Sequence, residues 1–327
     1  MRDHGSPAGP GPSGVRRAGA CGQRPRTAAG SRSLVPVTSP FLGSASGLTP
    51  QRLRAKRFRQ VARDVYVLGD RALDLRTRVL AARVLLPDAV ACGRTAALLH
   101  RLPIRDDGRV HLARAPGAPR SEQSGVVVHR TRLHGEDVTV DRDVPVTAEP
   151  RTWVDLAAVL DLESLVALGD PVLRRWGRHR LEAAVERRRG HRGVVLARLA
   201  LPLLNAGADS PAESRARLRL HAAGFNALVH GVDVRDELGG WLATPDLADP
   251  LARVAVQHDG LVHLVGDPER RRQDIQRDEL TRQQDWQVVV STAVDDRQPQ
   301  LLVDKVADAY RRSGRLRGAH VLPSHLR

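Results

Sequence analysis

The residues best suited to chemistry lie between Trp241 and Trp286. Asp246 sits in one short apolar run, Leu242 to Ala248. Gln257 and Asp259 end the next, Arg253 to His258, and His263 follows at once. A strand end holds a side chain rigidly and residues two apart share a face, so Gln257 and Asp259 point the same way. Carboxylates in such places are the oxygen donors that hard cations prefer. Each residue also has a plainer use. Asp246 can simply end a strand, Asp259-Gly260 is an ordinary turn pair, and Glu213 favours a helix N-terminus. Both uses stay open at this level.

The elements that must position these residues follow from local pattern. Asp249-Pro250 between the two apolar runs predicts adjacent strands joined by a tight turn. Asp267-Pro268 is a helix start, because a carboxylate caps free amides and proline fits the first helical position. The helix is expected from Pro268 to about Asp285. Trp286 to Val290 then reads as a buried strand, and Pro299 to Arg312 carries Leu302, Val306, Ala309 and Tyr310 on one helical face. Upstream, Ser210-Pro211 opens another helix with Glu213 in its first turn, and Leu228 to Val234 is the first strand. The predicted order is helix, three strands, helix, strand, helix.

That order resembles the restriction-endonuclease-like fold, and more closely the DUF559 group, relatives of the very-short-patch mismatch repair endonucleases common in actinobacteria. The resemblance rests on Ser210-Pro211-Ala212-Glu213-Ser214, Pro245-Asp246-Leu247, Val254 to Gly260 with His263, the Arg270 to Arg277 helix, and Asp285-Trp286-Gln287-Val288. It covers about the last third of the chain. It implies magnesium-dependent cleavage of a phosphodiester, where a cation polarises the phosphoryl oxygen and generates hydroxide. In that family Asp246 matches the first metal-binding acid, Glu213 the helix acid and His263 the downstream histidine that assists proton transfer. The implied metal set is Asp246, Asp259 and Glu213, with magnesium bound only if the protein is catalytically active. The chain departs from the pattern at Gln257-His258-Asp259-Gly260, where the family has a leading acid. An amide removes a full charge, and its neutral carbonyl is a weaker partner for a hard cation. Asp259 is placed to compensate in part.

The net charge is +15, from 52 Lys+Arg against 37 Asp+Glu over 327 residues. That favours a polyanionic partner. Aromatics at 3% make a base-stacking platform of the single-strand-binding kind a poor fit. Cys21 and Cys92 cannot build a disulfide framework or a zinc site, which suits a reducing cytoplasm. The longest apolar run, Val194 to Leu204, is broken by Arg198 and too short to span a bilayer, so no membrane partner is expected. Residues 1–45 lack apolar periodicity and read as a disordered basic leader. Arg16-Arg17 has no apolar core after it, as an export signal would need.

Near the N-terminus, Thr49-Pro50 repeats the cap-and-proline start. It predicts a basic helix from Gln51 to Phe58, then a hairpin through Val61, Val65 and Val67 and a helix from Asp74 to Leu86. This segment, with Cys92-Gly93-Arg94-Thr95-Ala96 and the later Pro145 to Ala157 run, resembles the winged-helix region of AbiEi-type antitoxin-like proteins. The resemblance implies DNA binding and a cognate toxin as a possible partner. Arg52, Arg54, Lys56 and Arg57 are the candidate DNA contacts, and a solvated basic face is the alternative use of the same residues. Val110 to Ala115, Gly125 to Arg130 and Asp137 to Val144 alternate as strands. His111, His129 and His134 lack metal-ligand spacing and read as surface or core histidines.

The architecture expected is mixed, α/β and α+β. A leader (1–45) precedes a winged-helix plus α+β antitoxin-like region (46–205). A restriction-endonuclease-like mixed sheet flanked by helices (206–315) and a basic tail (316–327) follow, with Asn205 to Asp209 as the boundary. Two functions fit: a DNA-binding antitoxin-like or defence-related regulator with a degenerate nuclease-like domain, or a metal-dependent DNA endonuclease.

Overall fold

The computed structural model describes residues 39–70, 72–259 and 268–314. Residues 1–38 of the predicted leader, His263, the Asp267 cap and residues 315–327 lie outside them. The leader is shorter than the expected 1–45, because Phe41 and Leu42 pair with Tyr66 and Val65 in a strand. The described chain is mixed α and β, with four small sheets among its helices.

The first sheet has three strands, with Val65–Leu68 between Phe41–Leu42 and Phe58–Ala62. The hairpin forms where alternation predicts it, turning at Asp64 with φ of 60°. The basic helix does not extend as predicted. Only Pro50–Leu53 is helical, with the Thr49 hydroxyl accepting from the Arg52 amide. Arg54 caps the helix, Lys56 and Arg57 lie in the turn that follows, and Phe58 already pairs with Leu68. The physical reason is that Leu53 is the last large apolar side chain before Phe58, so a longer helix has no face to bury. The Phe58 ring instead packs edge-on against Phe41, with centroids 5.6 Å apart.

The second sheet orders its strands as Val126–Arg130, Val110–Arg114, Val90–Ala91, Val144–Thr147 and Val138–Asp141. The run Asp137 to Val144, predicted as one strand, is the first arm and turn of a hairpin. Arg142 takes a positive φ at the turn, and Val144 and Val146 turn back into the core. Helices Leu75–Leu85 and Gly93–Leu99 cover this sheet. Helices Glu149–Leu156, Leu162–Trp176, Arg178–Arg187 and Val194–Ala200 pack around the buried Trp153. The Trp153 indole N–H donates to the Leu165 carbonyl at 2.9 Å, which satisfies the one polar atom of that ring.

Helix Pro211–Ala222 follows, opened by Ser210, whose hydroxyl accepts from the Glu213 amide. Strand Leu247–Asp249 runs antiparallel to Val254–Asp259, which runs parallel to Gln287–Thr292. Helix Pro268–Gln283 lies between the two parallel strands in sequence, as a parallel pair requires. The strands and helix Pro299–Ser313 bury Leu247, Val256, Leu302 and Val306. The apolar run Leu242 to Ala248 is not one strand. Trp241–Ala243 pairs with Val234–Arg235 in a separate two-stranded sheet, and Leu247 begins the other. Pro245 lies at the break, where it has no N–H to give to a ladder. Leu228 to Val234 likewise contributes only Val234 to that small sheet and an isolated bridge from Val229 to Ala248.

A buried polar cluster joins helix Leu162–Trp176 to helix Pro211–Ala222. Asp170 is fully buried and accepts from the Ser214 hydroxyl at 2.7 Å, the Asn205 amide at 2.8 Å and Arg217 at 3.1 Å. Among the described residues no helix is long and apolar enough to cross a membrane.

Candidate functional site

Helix Pro211–Ala222 and the start of strand Leu247–Asp249 bring two of the predicted acids together. Glu213 is in the first helical turn, and its side chain is buried. There its carboxylate accepts the Asp209 amide at 2.8 Å. Asp246 stands one residue before the strand, in the break made by Pro245, so its side chain turns toward the neighbouring strand's backbone. The carboxylate accepts the His258 amide at 2.5 Å. Burial and then the charge of Glu213 push Asp246 up to about 7, with Asp209 adding to the effect and the His258 amide opposing it. Two carboxyls thus share one part-buried place, and Asp246 holds a proton to a higher pH than an ordinary aspartate.

Gln257 lies half-buried in the middle strand, in register with Val290 of the strand beyond. Asp259 ends that strand opposite Thr292, and its side chain lies outside the described residues, as does all of His263. Strand pairing therefore puts the Asp246 carboxylate at the backbone just past Gln257.

His230 is a neighbour that sequence reasoning missed. Both its ring nitrogens are buried, and neither meets hydrogen-bond geometry with any described group. Burial and the charge of Arg217 lower its pKa, outweighing the nearby Asp246 backbone and the charges of Glu213 and Asp170. The segment before helix Pro211–Ala222 presses on this ring, since a Cβ on Gly207 would stand 2.7 Å from the His230 Cβ. The sequence signal was concealed because His230 sits inside Leu228 to Val234, an apolar run that reads as plain strand.

Glu213 and Asp246 fit a hard divalent cation in charge and donor type, and a cation there would remove the repulsion that raises Asp246. Magnesium keeps several of its waters and is often held by one or two carboxylates together with substrate phosphates, so the pair would supply at most part of its shell. Among the described residues no group of three His, Cys, Asp or Glu side chains is close enough to hold a metal.

The four candidate DNA contacts are all exposed, and none forms an ion pair among the described residues. Only Arg57 has a partner there, its guanidinium lying 5.8 Å from the centroid of the Phe58 ring. Their common origin is the short helix and the turn that follows it, rather than one recognition helix.

No family model matches the chain. "Uncharacterized protein Rv2248" of Mycobacterium tuberculosis strain ATCC 25618 / H37Rv is 31% identical over 241 residues, which is 72% of this chain and 86% of that protein. "Uncharacterized protein MT2308" of strain CDC 1551 / Oshkosh gives the same figures. At that identity and coverage, the chain belongs to the family of these mycobacterial proteins.

Proposed function

We propose that the protein is a DNA-binding regulator, antitoxin-like or defence-related, whose C-terminal region is a restriction-endonuclease-like domain with a weakened metal site. The observation that carries this reading is the Glu213 and Asp246 pair beside a strand bearing the neutral Gln257. The reading draws on the DUF559 resemblance of the sequence and on the parallel pair Val254–Asp259 and Gln287–Thr292 joined through helix Pro268–Gln283. The small N-terminal hairpin with helix Leu75–Leu85 is read as a winged-helix module that presents Arg52, Arg54, Lys56 and Arg57 to phosphates.

The second reading, a magnesium-dependent DNA endonuclease, draws on the nearness of the Glu213 and Asp246 carboxyls, whose shared negative charge suits a cation. In it Glu213, Asp246 and Asp259 would hold the ion, which would supply Lewis-acid polarisation of a phosphoryl oxygen, and His263 would assist proton transfer, as the family implies. One experiment separates the two. Under the regulator reading the wild type leaves supercoiled DNA intact in magnesium. Gln257→Glu then tightens metal binding and raises or creates nicking, and Asp246→Ala abolishes both. Efficient cleavage by the wild type, unaffected by Gln257→Glu, selects the endonuclease instead. If neither protein binds metal or cuts, the pocket takes no part in metal chemistry.

DNA binding itself is tested by salt. Contacts to phosphates release counterions, so the affinity for a labelled duplex is expected to fall steeply as salt rises. Arg52→Ala, Arg54→Ala and Lys56→Ala together weaken binding to unrelated sequences about equally. A flat salt dependence, or no binding at low salt, removes the proposal.

A further inference from the structure

Remote from the acid pair, a cavity of about 1000 Å³ opens between the five-stranded sheet and helices Gly93–Leu99, Glu149–Leu156 and Arg178–Arg187. Seven arginines line it against two aspartates, Asp107 and Asp155. Several of those arginines are already matched. Arg151 is buried and bonds Asp137 at 2.7 Å and Asp155 at 2.9 Å, Arg187 bridges to Asp137 and Glu136, and Arg188 to Asp155. These pairs are the floor of the cavity and fix its shape. Arg130, Arg132 and Arg192 are different. They are exposed at the wall and no ion pair holds them among the described residues.

Two further features describe the interior. His191 at the rim is exposed, and the charge of Arg188, with burial and then Arg151 adding to it, lowers its pKa. Along the opposite lining the His111 and His129 rings stack, with centroids 5.3 Å apart and planes 16° from parallel. His111 Nε2 meets Asp107 at 2.9 Å and its Nδ1 meets His129 Nε2 at 3.0 Å. The hydrogen bond with Asp107 fixes the first ring, and the first ring fixes the second. His129 is reachable by solvent but set among protein on most sides, and burial followed by His111 lowers its pKa, which favours the neutral ring. The result is an oriented aromatic patch lining the same cavity as unmatched guanidinium groups.

We propose that this cavity binds a phosphate-bearing small molecule of nucleotide size, with its phosphates on Arg130, Arg132 and Arg192 and its ring against His129. Guanidinium forks match phosphate oxygens in pairs, and three of them suit a multiply charged phosphate chain. The volume lies at the upper end for small-ligand pockets, which fits a nucleotide better than a lone anion. The inference does not depend on the function proposed for the acid pair.

The test is calorimetric titration of the full chain with ATP, GTP and inorganic pyrophosphate, alongside a single-stranded oligonucleotide and duplex DNA. The expected result is saturable binding of a nucleotide. Arg130→Ala with Arg132→Ala weakens it about tenfold, the equivalent of losing one charge-assisted hydrogen bond. Arg192→Ala acts in the same direction, and circular dichroism stays unchanged because none of the three holds the fold. His129→Ala lowers affinity for the nucleotide and leaves pyrophosphate binding intact. The triple variant of Arg52, Arg54 and Lys56, which tests duplex binding, leaves nucleotide binding unchanged. The proposal is overturned if neither nucleotide nor pyrophosphate binds at millimolar concentration, or if the arginine variants bind them as the wild type does. It is equally overturned if only the oligonucleotide responds to Arg130 and Arg132.

Discussion

Replacing Asp170 with alanine is expected to lower the stability of the protein by about 3–5 kcal/mol, the usual cost of removing one member of a buried ion pair. The loss has two parts. Arg217 keeps its charge in a place with almost no solvent, and the Ser214 hydroxyl and Asn205 amide lose the acceptor they share. Arg217 Nε already lacks a partner among the described residues, so the guanidinium has little else to turn to. Ser214→Ala removes only one neutral donor and is expected to cost about 1 kcal/mol. Urea denaturation followed by circular dichroism reads both, and the ratio is the informative quantity. Equal, small effects from the two variants would mean that solvent reaches the cluster.

The second large effect concerns Asp246 and has the opposite sign. Its carboxyl titrates near 7 in the folded chain and near the ordinary carboxylate range, about 4, when unfolded. The folded state therefore holds a proton that the unfolded state has released. Stability from this group is greatest below about pH 4, declines as pH rises, and levels off above 7. Asp246→Asn removes the titration while keeping an acceptor for the His258 amide. The variant is expected to match the wild type near pH 4 and to exceed it by about 2–4 kcal/mol at pH 8, allowing for the part of the carboxyl that water reaches. Denaturation at the two pH values measures the difference, and an offset that does not change with pH refutes it. Magnesium at pH 8 should narrow the gap by stabilising the wild type alone, if the acid pair binds the ion.

The helices of this protein were the more legible part of its sequence, because several carry their own start signals. Ser210-Pro211, Asp74 and Pro299 open helices where their chemistry predicts. The strand runs were read less well where a single residue breaks the ladder, as Pro245 does in Leu242 to Ala248 and the turn at Arg142 does in Asp137 to Val144. The failure at Gln51 to Phe58 has another source. Cap and charge suggested a helix, but no apolar stripe continued beyond Leu53, and the aromatic contact of Phe58 with Phe41 involves residues far apart in sequence. The same distance explains the site. Glu213 and Asp246 were each visible, whereas their meeting depends on helix and strand packing. His230 and the Arg130, Arg132 and Arg192 wall are assembled from segments that carry no motif of their own.

Asn205 to Asp209 looks like a place where genes could be cut and rejoined, and the buried Asp170 cluster makes that join costly to exchange. A hybrid taking the segment up to residue 204 from this chain and the rest from an unrelated protein would place an unanswered carboxylate against the new helix. The reverse hybrid would leave Arg217 facing an apolar seam. Lineages that recombine here without also carrying matching residues at 170, 214 and 217 are expected to yield poorly folded products. Inheritance of the two halves together follows from one carboxylate rather than from any shared chemistry, and swap libraries built on this family should keep those three positions as a set.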